Sequence, residues 1–167
     1  MRIRILLADD HTIMQAGLRS LLEKEPDIEV VAEAQDGRTA VRLAKDLAPD
    51  IVIMDISMRG LNGIDATKQI MAETKGVKVI ALSMHRDEQF VAGMLSAGAA
   101  GYLLKDCAAE ELSYAIRAVL SDQTYLSPAV AAIVTKEYVR TLTLSQEEKP
   151  SPTVLSARER EVLQLLS

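Results

Sequence analysis

Ile51-Val52-Ile53-Met54-Asp55 is an unbroken apolar run closed by a carboxylate, and near the N-terminus Ile5-Leu6-Leu7-Ala8-Asp9-Asp10 repeats the pattern with two. Short runs with no polar alternation read as strands buried on both faces, the habit of parallel sheets. Both runs carry their acids at the carboxyl end. If the two strands are neighbours, Asp9, Asp10 and Asp55 crowd together, and an unpaired cluster repels itself and raises at least one pKa. A divalent cation is the natural remedy.

Working outward, aliphatic runs begin near Ile3, Ile28, Ile51, Lys78 and Gly101, and each is followed by a stretch with helical spacing. Met14, Leu18, Leu21 and Leu22 share one face of the first helix; Leu112, Ile116, Val119 and Leu120 do so in the fifth. Five strand-helix units predict an α/β fold, a doubly wound five-stranded parallel sheet. The common order for such a sheet is 2-1-3-4-5, with the ligand crevice outside the carboxyl ends of strands one and three. Those are the strands that end in Asp9-Asp10 and Asp55. Fold and charge, argued separately, select one place.

The 167 residues are 49% hydrophobic and 26% charged, enough to bury a core. Net charge is −5, and residues 136–161 contribute nothing to it, with five Lys/Arg against five Asp/Glu, so there is no basic arm for phosphates. The single cysteine, Cys107, excludes an internal disulfide. No apolar run reaches membrane-spanning length, and Met1 to Ala8 turns acidic too soon for a signal peptide, so the expected location is the cytoplasm.

Ser83 follows Val79-Ile80-Ala81-Leu82, and Lys105 follows Gly101-Tyr102-Leu103-Leu104. Acids that hold a cation, an ammonium, a hydroxyl and a free carboxylate suit phosphoryl transfer, which needs positioning and charge neutralisation more than covalent machinery. Asp55 is then the nucleophile that forms an aspartyl phosphate. Asp10, with Asp9 beside it, Asp55 and the backbone carbonyl of Ser57 would hold Mg²⁺, while Lys105 and Ser83 contact phosphoryl oxygens. Each residue alone has a plainer reading: Asp9 or Asp10 as a helix cap, Lys105 as a solvated loop lysine, Ser83 as a turn residue. His11 reads as a first-turn residue rather than a ligand beside a hard oxygen site. Gly37, Gly60 and Gly63 read as turn glycines, and none belongs to a nucleotide-cradling motif.

The stretches "LLADDH", "DIVIMDISMRGLNGIDA", "ALSMH" and "SAGAAGYLLKD" together resemble the receiver domain of bacterial two-component response regulators of the NarL/FixJ type, over roughly Met1 to Leu126. The resemblance implies that a histidine kinase donates a phosphoryl group to Asp55. It also implies that the Met84 backbone joins Ser83 and Lys105 on the phosphoryl group, that Ser83 and Tyr102 report its arrival, and that Ser57 and His85 tune attack by water on the acyl phosphate. Asp106 departs from the proline many receivers carry after the lysine. A cis bond there would cost roughly 2.5–4 kcal/mol, so trans is expected.

After Leu126, Ser127-Pro128 reads as a cap with proline at the first helical position, and Val130, Ile133, Val134 and Tyr138 form an apolar stripe. Residues 127–142 are expected as a sixth helix, either folded back on the domain or linking and dimer-forming. Residues 143–154 read as a flexible linker. Residues 155–167, with the capping box Ser156/Glu159, resemble the first helix of a LuxR-type helix-turn-helix domain, cut short before any recognition helix. The favoured function is a response regulator of a phosphorelay, its homodimer reaching promoter DNA only through a missing C-terminal domain. Against it stand an Mg²⁺-dependent aspartyl-phosphate phosphatase, which lacks a second carboxylate where Ser57 stands, and a phosphorylation-independent interaction module.

Overall fold

The computed structural model describes residues 2–147. Strands β1 (Ile3–Ala8), β2 (Ile28–Ala34), β3 (Ile51–Asp55), β4 (Lys78–Ser83) and β5 (Gly101–Leu104) alternate with helices α1 (Thr12–Glu23), α2 (Gly37–Leu47), α3 (Gly63–Glu73), α4 (Glu88–Ser96) and α5 (Ala108–Leu120). A two-residue strand, β6 (Tyr125–Leu126), and helix α6 (Pro128–Glu147) follow. All pairings are parallel, in the order β2-β1-β3-β4-β5-β6, so the doubly wound sheet has the expected order plus one short edge strand.

Side chains that alternate along each strand build two cores. Ile5, Leu7, Ile51, Ile53, Ile80, Leu82 and Leu103 pack under α1 and α5, against Leu18, Leu22, Leu112, Ile116 and Val119. Leu6, Ala8, Val52, Met54, Val79, Ala81, Tyr102 and Leu104 face the other way, onto α2, α3, α4 and α6. Each fully buried aliphatic side chain contributes about 1.5–3 kcal/mol. The central strands therefore anchor the sheet, and the loops at their carboxyl ends are held on a rigid base.

Two of the three expected turn glycines have another role. Gly60 does sit in a turn, at φ 71°. Gly37 and Gly63 instead open α2 and α3, because a Cβ at Gly37 would overlap the Leu61 carbonyl and one at Gly63 the Asp55 carbonyl. Close approach rather than conformational freedom selects glycine there.

Helix α6 folds back along its first half, burying Val130 and Val134 beside Tyr102, Met94 and Leu95. It runs to Glu147, past the expected boundary at 142, since Leu144, Gln146 and Glu147 favour helix and the first proline thereafter is Pro150. The rest of the expected linker and the segment 155–167 lie outside the described residues. The start of α6 is tied to β5: Ser127 donates its amide to the Tyr102 carbonyl at 3.0 Å, accepts the Leu104 N–H on its hydroxyl at 3.2 Å, and donates that hydroxyl to Glu111 at 2.9 Å.

Candidate functional site

The register Ala8↔Met54 and Asp55↔Leu82 sets the site. Chain leaving β1 passes beside the end of β3, so Asp9 and Asp55 meet, at 2% and 3% exposure, while Asp10 lies at the rim. No capping carboxylate opens α1: its cap residue is His11, which makes no side-chain cap bond, and Asp9 instead accepts the His11 N–H at 2.8 Å. The plain capping reading of the two acids thus gives way to a cluster.

Lys105 reaches over from the end of β5, its side chain 7% exposed, with Nζ 3.1 Å from Asp9 Oδ2 and 3.4 Å from Asp55 Oδ2. The Lys105–Asp106 bond is trans, as is every peptide bond among the described residues. One ammonium does not satisfy three carboxylates. Asp9 Oδ2, Asp10 Oδ1 and Asp55 Oδ2 are buried atoms with no aligned hydrogen-bond donor. The Asp55 carboxyl is pushed up to about 6 in all: burial raises it most, the Lys105 ammonium pulls it down, and the Asp9 charge raises it again. Single ligand atoms of Asp9, Asp10, His11 and Asp55 lie within 4.8 Å of one another, so the cluster can hold a metal ion.

Beside the acids a second set is joined through His85. Ser57 donates its amide to Asp55 Oδ1 at 3.3 Å, and its hydroxyl lies 3.3 Å from His85 Nε2. The His85 amide donates to the Ser83 hydroxyl at 2.9 Å, and the His85 carbonyl accepts from the Tyr102 hydroxyl at 2.8 Å. Phe90 stacks on the imidazole, with ring centroids 4.7 Å apart. Tyr102 is fully buried, which raises its phenol pKa. Met84, between Ser83 and His85, turns its side chain to solvent.

The structure therefore brings Asp9, Asp10, Asp55 and Lys105 into direct contact and joins Ser57, Ser83, His85 and Tyr102 to them through hydrogen bonds. Sequence reasoning set His11 aside, yet its Nδ1 lies 3.0 Å from Asp9 Oδ1 and 3.1 Å from Asp10 Oδ1. Its place directly after two acids was the one available signal. The Glu111-Ser127 contact was also missed, since nothing in the spacing of residues 111 and 127 announces it.

A doubly wound sheet that gathers its acids outside the strand ends at the winding reversal has the ligand crevice of the flavodoxin-like class of domains. Residues 5–117 match the response regulator receiver domain, and the chain belongs to that family. It is 38% identical over 178 residues to the transcriptional regulatory protein DegU of Brevibacillus brevis, covering 99% of this chain and 75% of that protein. With the transcriptional regulatory protein LiaR of Bacillus subtilis (strain 168) it shares 42% identity, over 99% of this chain and 76% of the relative. The crystal structure of a LuxR-family two-component response regulator from Aurantimonas sp. SI85-9A1 superposes with a TM-score of 0.79 at 38% identity, covering 83% of this chain and 99% of that one. The chain carries a receiver domain of a two-component system, and its relatives regulate transcription. Among the described residues no helix is long and apolar enough to cross a membrane.

Proposed function

We propose that Asp55 accepts the phosphoryl group and that Asp9, Asp10, Asp55 and the Ser57 carbonyl hold Mg²⁺. The observation that carries this is the Asp55 carboxylate itself, 3% exposed, its Oδ2 held 3.4 Å from the Lys105 ammonium with no aligned hydrogen bond, beside two further acids. A buried carboxylate oxygen without an aligned donor is costly in a structure and useful as a nucleophile. Bound Mg²⁺ supplies charge neutralisation for phosphoryl oxygens.

Asp55 Oδ2 attacks the phosphorus of a kinase phosphohistidine. The P–N bond breaks, its electron pair returns to the donor imidazole, and an acyl phosphate remains. Lys105, now 3.4 Å from Oδ2, pairs with a phosphoryl oxygen, while the Ser83 hydroxyl and the Met84 backbone take the others. Ser83 at present accepts from the His85 amide, so turning toward the phosphoryl group breaks a bond on the segment that also accepts from Tyr102. That is how Ser83 and Tyr102 act as the switch. Ser57 and His85, 3.3 Å apart, flank the approach of water and set the phosphoryl lifetime. The chain thus promotes only its own phosphorylation and dephosphorylation.

In the whole regulator, residues 1–126 form the receiver, α6 links it onward, and phosphorylation of this cytoplasmic chain by its cognate histidine kinase drives dimerisation, which places DNA-binding domains on paired promoter half-sites. The test is binding of beryllofluoride with Mg²⁺ to this chain and to Asp55→Asn. Binding by the parent alone, with a rise in sedimenting mass, is expected. Retention of binding in the variant moves the phosphoacceptor elsewhere.

A further inference from the structure

Tyr102 joins two parts of the molecule that the chain keeps well apart. Its hydroxyl donates to the His85 carbonyl at 2.8 Å, beside the phosphoryl site, while its own carbonyl accepts the Ser127 amide at 3.0 Å, where α6 begins. Between these two bonds the ring is fully buried, on the face of the sheet covered by α4 and α6. Three buried residues, Val91, Met94 and Leu95, fix α4 there; α6 buries Val130 and Val134, and further along it Val139, Leu142 and Leu144 are exposed. A helix docked over half its length by so little apolar surface lifts far more readily than the sheet beneath it unfolds. The ring can turn to solvent only where a covering helix lifts, and α6 is the lightly held one.

The buried ring bears on the phosphoryl site through His85. At present the Ser83 hydroxyl accepts the His85 amide at 2.9 Å. That bond is lost when the hydroxyl turns to a phosphoryl group, and Tyr102 then keeps hold of the segment through the His85 carbonyl. A ring that swings out removes this second hold as well, and the Met84 backbone is no longer positioned. Lifting of α6 and loss of phosphoryl contacts therefore go together.

We propose that docked α6 is a working part of the receiver switch: it clamps Tyr102 inward, favours the phosphoryl-bound form, and is held more tightly by that form in return. The claim rests on Asp55 being the phosphoacceptor. Reciprocity is required by linkage, because two events that favour the same state favour each other by one factor. Val130, Val134 and Tyr102 are positioning residues, and the signal passes to the helix that leads out of the receiver.

Amide exchange of this chain with and without beryllofluoride and Mg²⁺ tests the return half of the claim. Calorimetric titration of the same ligand into the parent, Val130→Ala/Val134→Ala, Tyr102→Phe and the triple substitution tests the other half. The ligand should slow exchange along residues 130–138 about fivefold or more, and the paired valine substitution should weaken the ligand by up to the same factor. Retained Mg²⁺ binding shows that the variants are folded. Because the valines act through the Tyr102 hydroxyl, they should cost little further affinity in the Tyr102→Phe background. Losses that simply add, or α6 exchange that is unchanged or faster with ligand bound, overturn the clamp and leave the Asp55 reading standing. A parent that does not bind beryllofluoride removes the Asp55 reading and the clamp with it.

Discussion

Asp55 is placed where function and stability oppose each other. Its pKa is pushed up from 3.8 to about 6, so the fold prefers the neutral carboxyl and bears a penalty when the group ionises. Asp55→Asn should therefore stabilise the metal-free chain at pH 7 by on the order of 1–3 kcal/mol in urea unfolding. The gain should be full above pH 6, shrink as pH falls toward 3.8 and vanish below it, where the parent carboxyl is neutral in both states. No gain at neutral pH would mean that Lys105 already compensates the charge. Lys105→Met should act in the opposite direction, costing about 3 kcal/mol because it strips a buried acid cluster of its ammonium. An unchanged midpoint would show that solvent already screens the cluster. Asp9, Asp10, Asp55 and Lys105 were legible because each closes an apolar strand, so strand order alone gathers them. The orientation of His11 was not legible, since it depends on the backbone path between β1 and α1.

Among elements, α6 is held to the receiver by the buried Val130 and Val134 and, at its start, by the hydrogen bonds of one buried residue. Ser127, 1% exposed, accepts the Leu104 N–H on its hydroxyl and donates that hydroxyl to the Glu111 carboxylate, and Glu111 also accepts from Tyr125 at 2.9 Å. Burial and this acidic neighbour push the Tyr125 phenol up to about 12. Ser127→Ala leaves the Leu104 N–H without that acceptor, at a cost of about 1–3 kcal/mol. Faster amide exchange at Leu104 and along the first turns of α6 is expected, with α1 unaffected. Uniform acceleration through the sheet would instead mean that Ser127 supports the whole fold. The sequence disclosed five strands and six helices through aliphatic runs and helical stripes. It hid β6, because Tyr125 and Leu126 are too few to show any period, and it hid the full length of α6, because Ser145 to Pro152 reads as one polar unit although its first proline is Pro150.

At the scale of the molecule, two apolar cores make a firm sheet whose carboxyl end is electrostatically incomplete, and a cation that binds only the folded chain should complete it. At a concentration 100 times its dissociation constant, Mg²⁺ adds about 2.7 kcal/mol to the unfolding free energy. For a chain of this size that corresponds to a rise of roughly 5–10 °C in Tm. The parent should show that rise, Asp10→Asn much less, and Asp55→Asn should begin from a higher Tm in the absence of metal and gain little, so that Mg²⁺ narrows or reverses the gap between parent and variant. Convergence follows from a single cause, because the ion and the substitution relieve the same repulsion and one cannot relieve it twice. Calorimetric scans of the three proteins with and without Mg²⁺ decide the matter: parallel shifts in all three would place the ion elsewhere on the acidic surface and detach the stability of the sheet from the chemistry at its edge.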